Sequence, residues 1–158
     1  MKIFLFNILL ALIWTAVTAD FSFGNFLIGL ILSYLVLLVV GPAVDKTGYT
    51  RRVRKAFTLL IYFLKELFVS SIRVAKDVIK PKFKMQSGVV DIPLDVKSDL
   101  EITLLANMIS LTPGTLSLEV SEDRKELFIH AMYIDEGVDQ VRKDIKGGME
   151  RRILEVTR

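Results

Sequence analysis

The residue types that perform catalysis or bind metals are scarce in this sequence of 158 residues. It contains no cysteine and only one histidine, His130. Thiol catalysis, thiolate metal sites and disulfides are therefore excluded, and one histidine is too few for a histidine-rich metal site. His130 lies in a predicted strand, where we interpret it as a structural or surface residue. We expect a protein that is not an enzyme and that has no cofactor or metal site.

Two short motifs could bind ligands, but each has a simpler structural explanation. Glu122, Asp123 and Glu126 could form a metal site, but acids clustered in this way are typical of a solvated hairpin turn. The segment Thr112–Thr115 could hold a phosphate, but it follows a predicted helix and lacks the lysine of a P-loop. Proline fixes φ and glycine accepts a positive φ, so this sequence suits a type II turn. We predict a tight turn that contacts another surface through Thr112, Pro113 and Gly114.

Charge divides the chain into three segments. Residues 1–44 contain only Lys2 and Asp20, which cancel. Residues 45–85 contain eleven Lys or Arg and three Asp or Glu, a net charge of +8, whereas residues 86–158 have a net charge of −5. We predict a transmembrane helical hairpin in 1–44, a basic amphipathic helix in 45–85 and a small α+β domain in 86–158.

The first segment contains two uncharged runs, Ile3–Ala19 and Phe21–Val44, of 17 and 24 residues. A helix rises 1.5 Å per residue, so the shorter run covers about 26 Å of a hydrocarbon core of about 30 Å. A turn-like stretch with an acid, a glycine and an asparagine separates the runs. This pattern predicts two antiparallel helices. A signal peptide cleaved after Ala19 is the alternative, which the immediate second apolar run disfavours.

A few polar or small residues interrupt these runs. Buried amides in a membrane usually bind a neighbouring helix, although an interfacial position in contact with water would also satisfy them. Tryptophan typically lies at the membrane interface. Our candidates for packing against other subunits are Asn7, Trp14, Asn25 and Gly29. Neither run contains Asp, Glu, Lys, Arg or His, so these helices alone cannot form a proton or sodium relay of the usual kind.

The second segment predicts a long helix from Arg51 to about Lys80, with polar residues on one face and apolar residues on the other. Crossing the bilayer would bring Lys65, Glu66 and Arg73 into the hydrocarbon at about 2.5–3.5 kcal/mol for each central charge. We therefore predict a helix lying in the interface. A third span, with Lys65 and Glu66 paired and sheltered by partner subunits, is the alternative. The predicted membrane-surface residues are Arg51, Arg52, Arg54, Lys55, Arg73 and Lys76.

The third segment predicts the order β-α-β-β-α, with helices on one face of the sheet. Ser98 and Glu101 have the spacing of a helix-capping box. A final amphipathic helix is predicted over Val138–Val156, with Gly147 and Gly148 weakening its centre. The density of Lys and Arg after Val44 places this domain in the cytoplasm.

Several motifs of this sequence together form a specific pattern. The most specific motif is Ser110–Ser117, which contains Leu-Thr-Pro-Gly-Thr, followed by Leu127–Ala131 and Asp135. The helical positions that belong to the pattern are Asn7, Leu10, Ala11, Trp14, Asn25, Gly29 and Tyr34. This pattern resembles the E subunit of the Mrp (Mnh/Pha) multisubunit sodium/proton antiporter, and the resemblance covers nearly the whole chain.

This resemblance implies an accessory subunit of a seven-subunit complex in the bacterial cytoplasmic membrane, which exchanges cytoplasmic sodium for external protons. Its partners would be the other Mrp subunits and the phospholipid bilayer, and not nucleic acid. The alternative is a stand-alone membrane-surface protein that binds anionic lipid through the basic segment. A direct role in ion passage would require Asp20, Lys65 or Glu66 to lie in a pathway built with partners.

Overall fold

The computed structural model describes residues 2–44, 48–80, 86–135 and 137–158. The chain forms two compact units, one up to Arg54 and one from Lys55 onward. The exact domain boundaries predicted at 44/45 and 85/86 fall next to residues outside the described ranges. The elements are α1 (Lys2–Val17), α2 (Phe23–Val44), α3 (Tyr49–Ile79), β1 (Gly88–Pro93), α4 (Asp99–Leu111), β2 (Thr115–Val120), β3 (Glu126–Ala131), α5 (Val138–Ile145), a π-helical turn (Lys146–Glu150) and α6 (Arg151–Thr157).

In the first unit, α1 and α2 pack as an antiparallel hairpin. Asn7 and Ser33 are buried between them, and the Ser33 hydroxyl donates a hydrogen bond to Asn7 Oδ1. Gly29 lies against Ala11, which is fully buried. Among the described residues, one stretch, Phe23–Val40, is long and apolar enough to cross a membrane, and the apolar part of α1 is shorter.

Asn25 closes the loop end of the hairpin. Trp14 Nε1 donates to Asn25 Oδ1 at 3.0 Å. Asn25 Nδ2 donates to Thr18 Oγ1 and to the Asp20 carbonyl, each at 2.7 Å. Both the oxygen and the nitrogen of the Asn25 side chain are therefore hydrogen-bonded within the hairpin.

The first turn of α3 meets the open end of the hairpin. Asn7 Nδ2 donates to the Tyr49 hydroxyl at 3.1 Å, and the Phe4 and Tyr49 rings are tilted with centroids 6.2 Å apart. The Tyr34 hydroxyl donates to the Thr50 carbonyl at 3.3 Å. Helix α3 thus begins at the end of the hairpin where α1 begins.

We expect Gly29→Val to separate α1 from α2. A Cβ at this position would lie 3.0 Å from Trp14 Cδ1 and 3.1 Å from the Ala11 carbonyl oxygen, so backbone would have to move. Overpacking of this kind costs about 1–3 kcal/mol. Trp14 is the single tryptophan, and its emission in detergent-solubilised protein should shift to the red. Gly24→Val is the control, because nothing lies within 4 Å of a Cβ there; equal shifts in both variants would contradict the prediction.

The second unit contains an antiparallel sheet in the order β1-β3-β2. Alternate residues of β1 and β3 point into the core, where helices α4, α5 and α6 cover one face of the sheet. The α+β class predicted for this segment is confirmed. The core residues that the strands and helices contribute are Val90, Ile92, Leu127, Ile129, Ala131, Ile102, Leu105, Met108, Ile109, Ile145, Met149 and Ile153.

Two buried carboxylates hold the connection between β1 and α4. Glu150 accepts hydrogen bonds from the backbone N–H groups of Asp95 and Val96 at 2.6 and 3.1 Å. Glu101 accepts from the next two, those of Lys97 and Ser98, at 3.0 and 3.1 Å. The predicted capping box at Ser98 is confirmed. Four consecutive amides are thus bound by side chains from two different helices.

The last helical segment differs from the uniform helix predicted over Val138–Val156. It contains a π-helical turn at Lys146–Glu150, which includes both glycines and ends at the buried Glu150. Glycine lowers the stability of an α-helix, and Gly148 of this turn lies against Tyr62 of α3.

We expect stability to fall in acid as Glu101 is protonated. Hydrogen bonds from the Thr157 hydroxyl and then from the Lys97 and Ser98 amides lower the pKa of Glu101 from 4.5 to about 2. A lowered folded-state pKa stabilises the fold above pH 4.5, and this contribution is lost as the pH falls towards 2. Glu101→Gln should cost about 1–3 kcal/mol at neutral pH and flatten this acid limb. Denaturant unfolding in detergent, followed by circular dichroism, measures both effects.

The matched control is Glu122→Gln, because Glu122 is an exposed residue of the β2–β3 turn. It should leave the free energy of unfolding and its pH profile unchanged. An acid limb that survives in Glu101→Gln would assign the effect to another group.

Candidate interaction site on the long helix

Helix α3 has two opposite faces with different surroundings. One face carries an apolar stripe of eight exposed residues from Phe57 to Ile79. At 1.5 Å per residue, the 22 helical steps between these two residues extend for about 33 Å. The residues at Leu59, Tyr62, Glu66, Ser70 and Arg73 follow the other helical face and lie against the α+β domain. The polar face predicted from the sequence is therefore the one that contacts the domain. The apolar stripe consists of Phe57, Leu60, Ile61, Leu64, Phe68, Ile72, Val78 and Ile79.

One contact between α3 and the domain is at Tyr62. The Arg152 guanidinium lies 3.8 Å from the centroid of the Tyr62 ring, a cation–π distance. Arg152 Nη1 also donates to the Gly148 carbonyl at 2.8 Å. A Cβ at Gly148 would overlap the Tyr62 hydroxyl and lie 3.2 Å from Cζ. The missing side chain at Gly148 thus makes room for the Tyr62 ring.

A second contact joins α3 to the Thr112–Gly114 turn. The Arg73 guanidinium lies 5.6 Å from the centroid of the Tyr133 ring. The same ring lies against Gly114, where a Cβ would be 3.2 Å from Tyr133 Cε2. Gly114 has φ = 93°, and Thr115 N–H donates to the Thr112 carbonyl at 3.1 Å. The predicted turn is confirmed, and it lies next to α3.

Between these two contacts lies a cavity of about 130 Å³, enough for several water molecules. It is lined by Glu66 and Ser70 of α3 and by the turn and Asp144 of the domain. Burial, followed by the Glu66 carboxylate, raises the pKa of Tyr62, and burial, followed by Asp77, raises that of Tyr133. Both phenols are therefore neutral at physiological pH.

The predicted site residues fall into separate groups. Asn7, Trp14, Asn25 and Gly29 come together within the hairpin, where each contacts the neighbouring helix or the loop. Their contact with other subunits stays a prediction. Thr112, Pro113, Gly114 and Arg73 surround the cavity. Arg51, Arg52, Arg54 and Lys76 are exposed and Lys55 is half-buried. In the part of the chain that the structure describes, no three His, Asp or Glu side chains form a group that could hold a metal ion.

Three residues that make these structural contacts were not singled out from the sequence. Tyr62 looked like one polar residue among several, and Gly148 looked like a weak point of a helix. Glu150 gave no signal at all, because a single acid in an amphipathic helix is usually exposed. The glycine pair is the one signal in the sequence that could have pointed to this contact, because glycine is used where another group approaches the backbone closely.

Comparison with known proteins identifies the family. A model of the family described as Na+/H+ ion antiporter subunit (MNHE) matches residues 7–156. The E subunit of the Na(+)/H(+) antiporter of Alkalihalophilus pseudofirmus is 39% identical over 154 residues, which cover 98% of this chain and 97% of that protein. The corresponding protein of Bacillus subtilis is 34% identical, with the same coverage of both chains.

Solved structures agree with this result. A chain of the Mrp complex from Dietzia sp. is 30% identical, with a TM-score of 0.51, and the match covers 67% of this chain and 97% of that one. The archaeal membrane-bound sulfane sulfur reductase contains a chain of similar fold, with a TM-score of 0.55 at 24% identity, covering 92% of this chain and 95% of that one. The resemblance found in the sequence motifs is confirmed. This chain is a membrane protein that belongs to the family of Na+/H+ antiporter E subunits.

Proposed function

We propose that this chain is an accessory subunit of a multisubunit Na+/H+ antiporter, which supports assembly and does not carry the ion path. The observation that carries the proposal is the division of α3 into an exposed apolar stripe and a face that contacts the α+β domain. Such a helix needs lipid or other subunits on its apolar side, because contiguous exposed apolar surface marks interaction sites.

The position of the domain supports an interfacial α3 over a third span. Contacts between α3 and the domain run from Leu59 to Arg73, about 21 Å along the helix. They bring Arg152 and Asp144 next to it. Insertion of α3 into the hydrocarbon would bury these charges too. A helix in the interface keeps them in water and buries only the stripe.

The hairpin supports a role without ion conduction. Its two apolar runs, Ile3–Ala19 and Phe21–Val44, contain no Asp, Glu, Lys, Arg or His, and intramembrane relays need such groups. Its outer surface is largely exposed apolar side chain, which suits packing in lipid or against other subunits. We propose that it crosses the cytoplasmic membrane twice, with both ends and the α+β domain in the cytoplasm, as the Lys and Arg distribution favours.

Deletion of this chain from a bacterium that carries the antiporter tests the function. Without the chain, native gels should show little complete complex, and everted vesicles should lose sodium-driven proton exchange. The chain alone in proteoliposomes should exchange nothing. Sodium-driven exchange by the chain alone, or full assembly without it, would refute the proposal. A monomer that floats with anionic liposomes and copurifies with no other subunit would favour the lipid-binding alternative.

The topology can be tested separately, because the natural chain has no cysteine. Ser22→Cys lies in the loop of the hairpin, and Glu122→Cys lies in the exposed β2–β3 turn. An impermeant thiol reagent applied to intact cells should label only the first variant. After the cells are opened, it should label both. Labelling of Glu122→Cys in intact cells would place the domain outside.

A further inference from the structure

Strand β2 is oriented with its polar side towards its own domain. The Thr115 hydroxyl donates to the Ile109 carbonyl at 2.6 Å, and the Ser117 hydroxyl donates to the Ala106 carbonyl at 2.9 Å. Leu116 and Leu118 lie outside the core, each with 51% of its surface exposed. A sheet with one solvated face usually has the opposite arrangement, with apolar residues inside and polar residues outside.

The neighbouring strands extend this apolar surface. Val89 of β1 is 61% exposed and pairs with His130 of β3, which in turn pairs with Leu116 of β2. Phe128 lies on the same side of β3, because Leu127 and Ile129 on either side of it are buried. The outer sheet face therefore consists of Val89, Leu116, Leu118 and Phe128 around His130. A bulge between Ser117 and Glu119 pairs Glu119 with Phe128, so Glu119 lies on this surface together with Leu118; bulges commonly re-aim side chains in this way.

The charges on this face have one sign. The three strands contain Asp91, Glu119 and Glu126 and no Lys or Arg. Asp91 is paired with Arg142 at 2.5 Å, which leaves Glu119 and Glu126 as surplus negative charge on exposed positions. An anionic bilayer would repel these carboxylates, so lipid is a poor occupant. Charge complementarity favours a basic partner with apolar side chains.

We propose that the outer sheet face binds a basic, apolar segment on the cytoplasmic side of another membrane subunit of the same complex. The proposal rests on the proposed function, which places the α+β domain in the cytoplasm next to other membrane subunits. Cytoplasmic loops of membrane proteins are rich in Lys and Arg, and an amphipathic segment of this kind offers both the charge and the apolar surface that the sheet face requires.

Photo-crosslinking in the intact complex tests the contact. A benzoylphenylalanine residue at Leu118 should crosslink to another membrane subunit, whereas the same residue at the exposed position Lys143 on α5 should not. Mass spectrometry should locate the crosslink in a Lys- or Arg-rich cytoplasmic segment. A crosslink to a second copy of this chain, or none in a complete complex, would overturn the proposal.

Charge reversal provides a second measurement with a matched control. Glu119→Lys combined with Glu126→Lys should reduce the crosslink yield at Leu118 about tenfold, as should high salt, because both remove the attraction between exposed charges. The matched pair is Glu119→Lys alone, which should also lower the yield, and Glu122→Lys, which reverses one charge in the turn, off the strands, and should leave the yield unaltered. Circular dichroism of each purified variant verifies that the domain is folded.

The proposed function and the partner proposed for the outer sheet face can be refuted by different results. If the chain copurifies with no antiporter subunit, the proposed function fails. If it copurifies with a complete complex but Leu118 crosslinks to nothing, or if the charge reversals do not change the yield, only the assignment of the outer sheet face fails.

Discussion

Replacing Gly148 by alanine is expected to release α3 from the α+β domain. The new Cβ would overlap the Tyr62 hydroxyl and crowd Cζ, and the Tyr62 ring cannot simply rotate away because the Arg152 guanidinium stacks on it. Overpacking costs about 1–3 kcal/mol. This corresponds to a roughly 5- to 150-fold larger population in which the two surfaces are apart, since about 1.4 kcal/mol is tenfold.

The cysteine-free chain allows this population to be measured. Leu59 of α3 is 8% exposed and packs into the core of the α+β domain, so a Leu59→Cys variant should react slowly with a thiol reagent. We expect Gly148→Ala in this background to raise the labelling rate by the factor given above. The labelling is done on full-length protein in lipid nanodiscs, so that α3 keeps its normal surroundings.

Gly147→Ala is the matched control for this experiment. Nothing lies within 4 Å of a Cβ at Gly147, and alanine should stabilise the helix by about 0.5–1 kcal/mol relative to glycine. Its labelling rate should therefore stay at or below that of the parent. Adding Tyr62→Phe to Gly148→Ala removes the overlapping hydroxyl and should restore part of the protection. Equal rates in both glycine variants would show that Tyr62 does not need the space.

The contacts of Tyr62 with Gly148 and Arg152 could not be predicted from sequence patterns, whereas several local features could. Hydrophobic periodicity correctly predicted the long helix and the α+β class, because those depend on local spacing and on one buried face. The capping box at Ser98 and the Pro113-Gly114 turn were also predicted correctly. Both are local features, in which the residues that interact are a few positions apart.

The remaining contacts depend on residues far apart in the chain. Tyr62 and Gly148 are separated by more than eighty positions, and no local pattern links an aromatic ring to a distant glycine. The predicted order β-α-β-β-α includes β2, but the alternation of side chains along a strand does not by itself indicate which side faces the core. The direction was set by Thr115 and Ser117, whose hydroxyls bind carbonyls of α4. The contact between Tyr62 and Gly148 and the orientation of β2 therefore depend on tertiary packing and not on local sequence.

Phe68→Glu is expected to have the largest effect on assembly, with the α+β domain still folded. Phe68 is 67% exposed near the middle of the apolar stripe and makes no core contact in the described residues. On insertion scales, a central charge costs about 2.5–3.5 kcal/mol, which would reduce an assembly equilibrium by roughly two orders of magnitude. We expect native gels to show loss of the complete complex and everted vesicles to show loss of sodium-driven exchange.

Val69→Glu is the control that separates a helix lying in the interface from one that crosses the membrane. It introduces the same charge one residue later, on the flank of α3, where Lys65 and Arg73 lie four positions away on either side and form favourable helical pairs. An interfacial α3 leaves this position in water, so assembly and exchange should remain near the parent level. If α3 spanned the bilayer, both acids would enter the hydrocarbon at the same depth, and the two variants would be equally defective. If neither variant lost assembly, the stripe would have no essential contact with lipid or with another subunit.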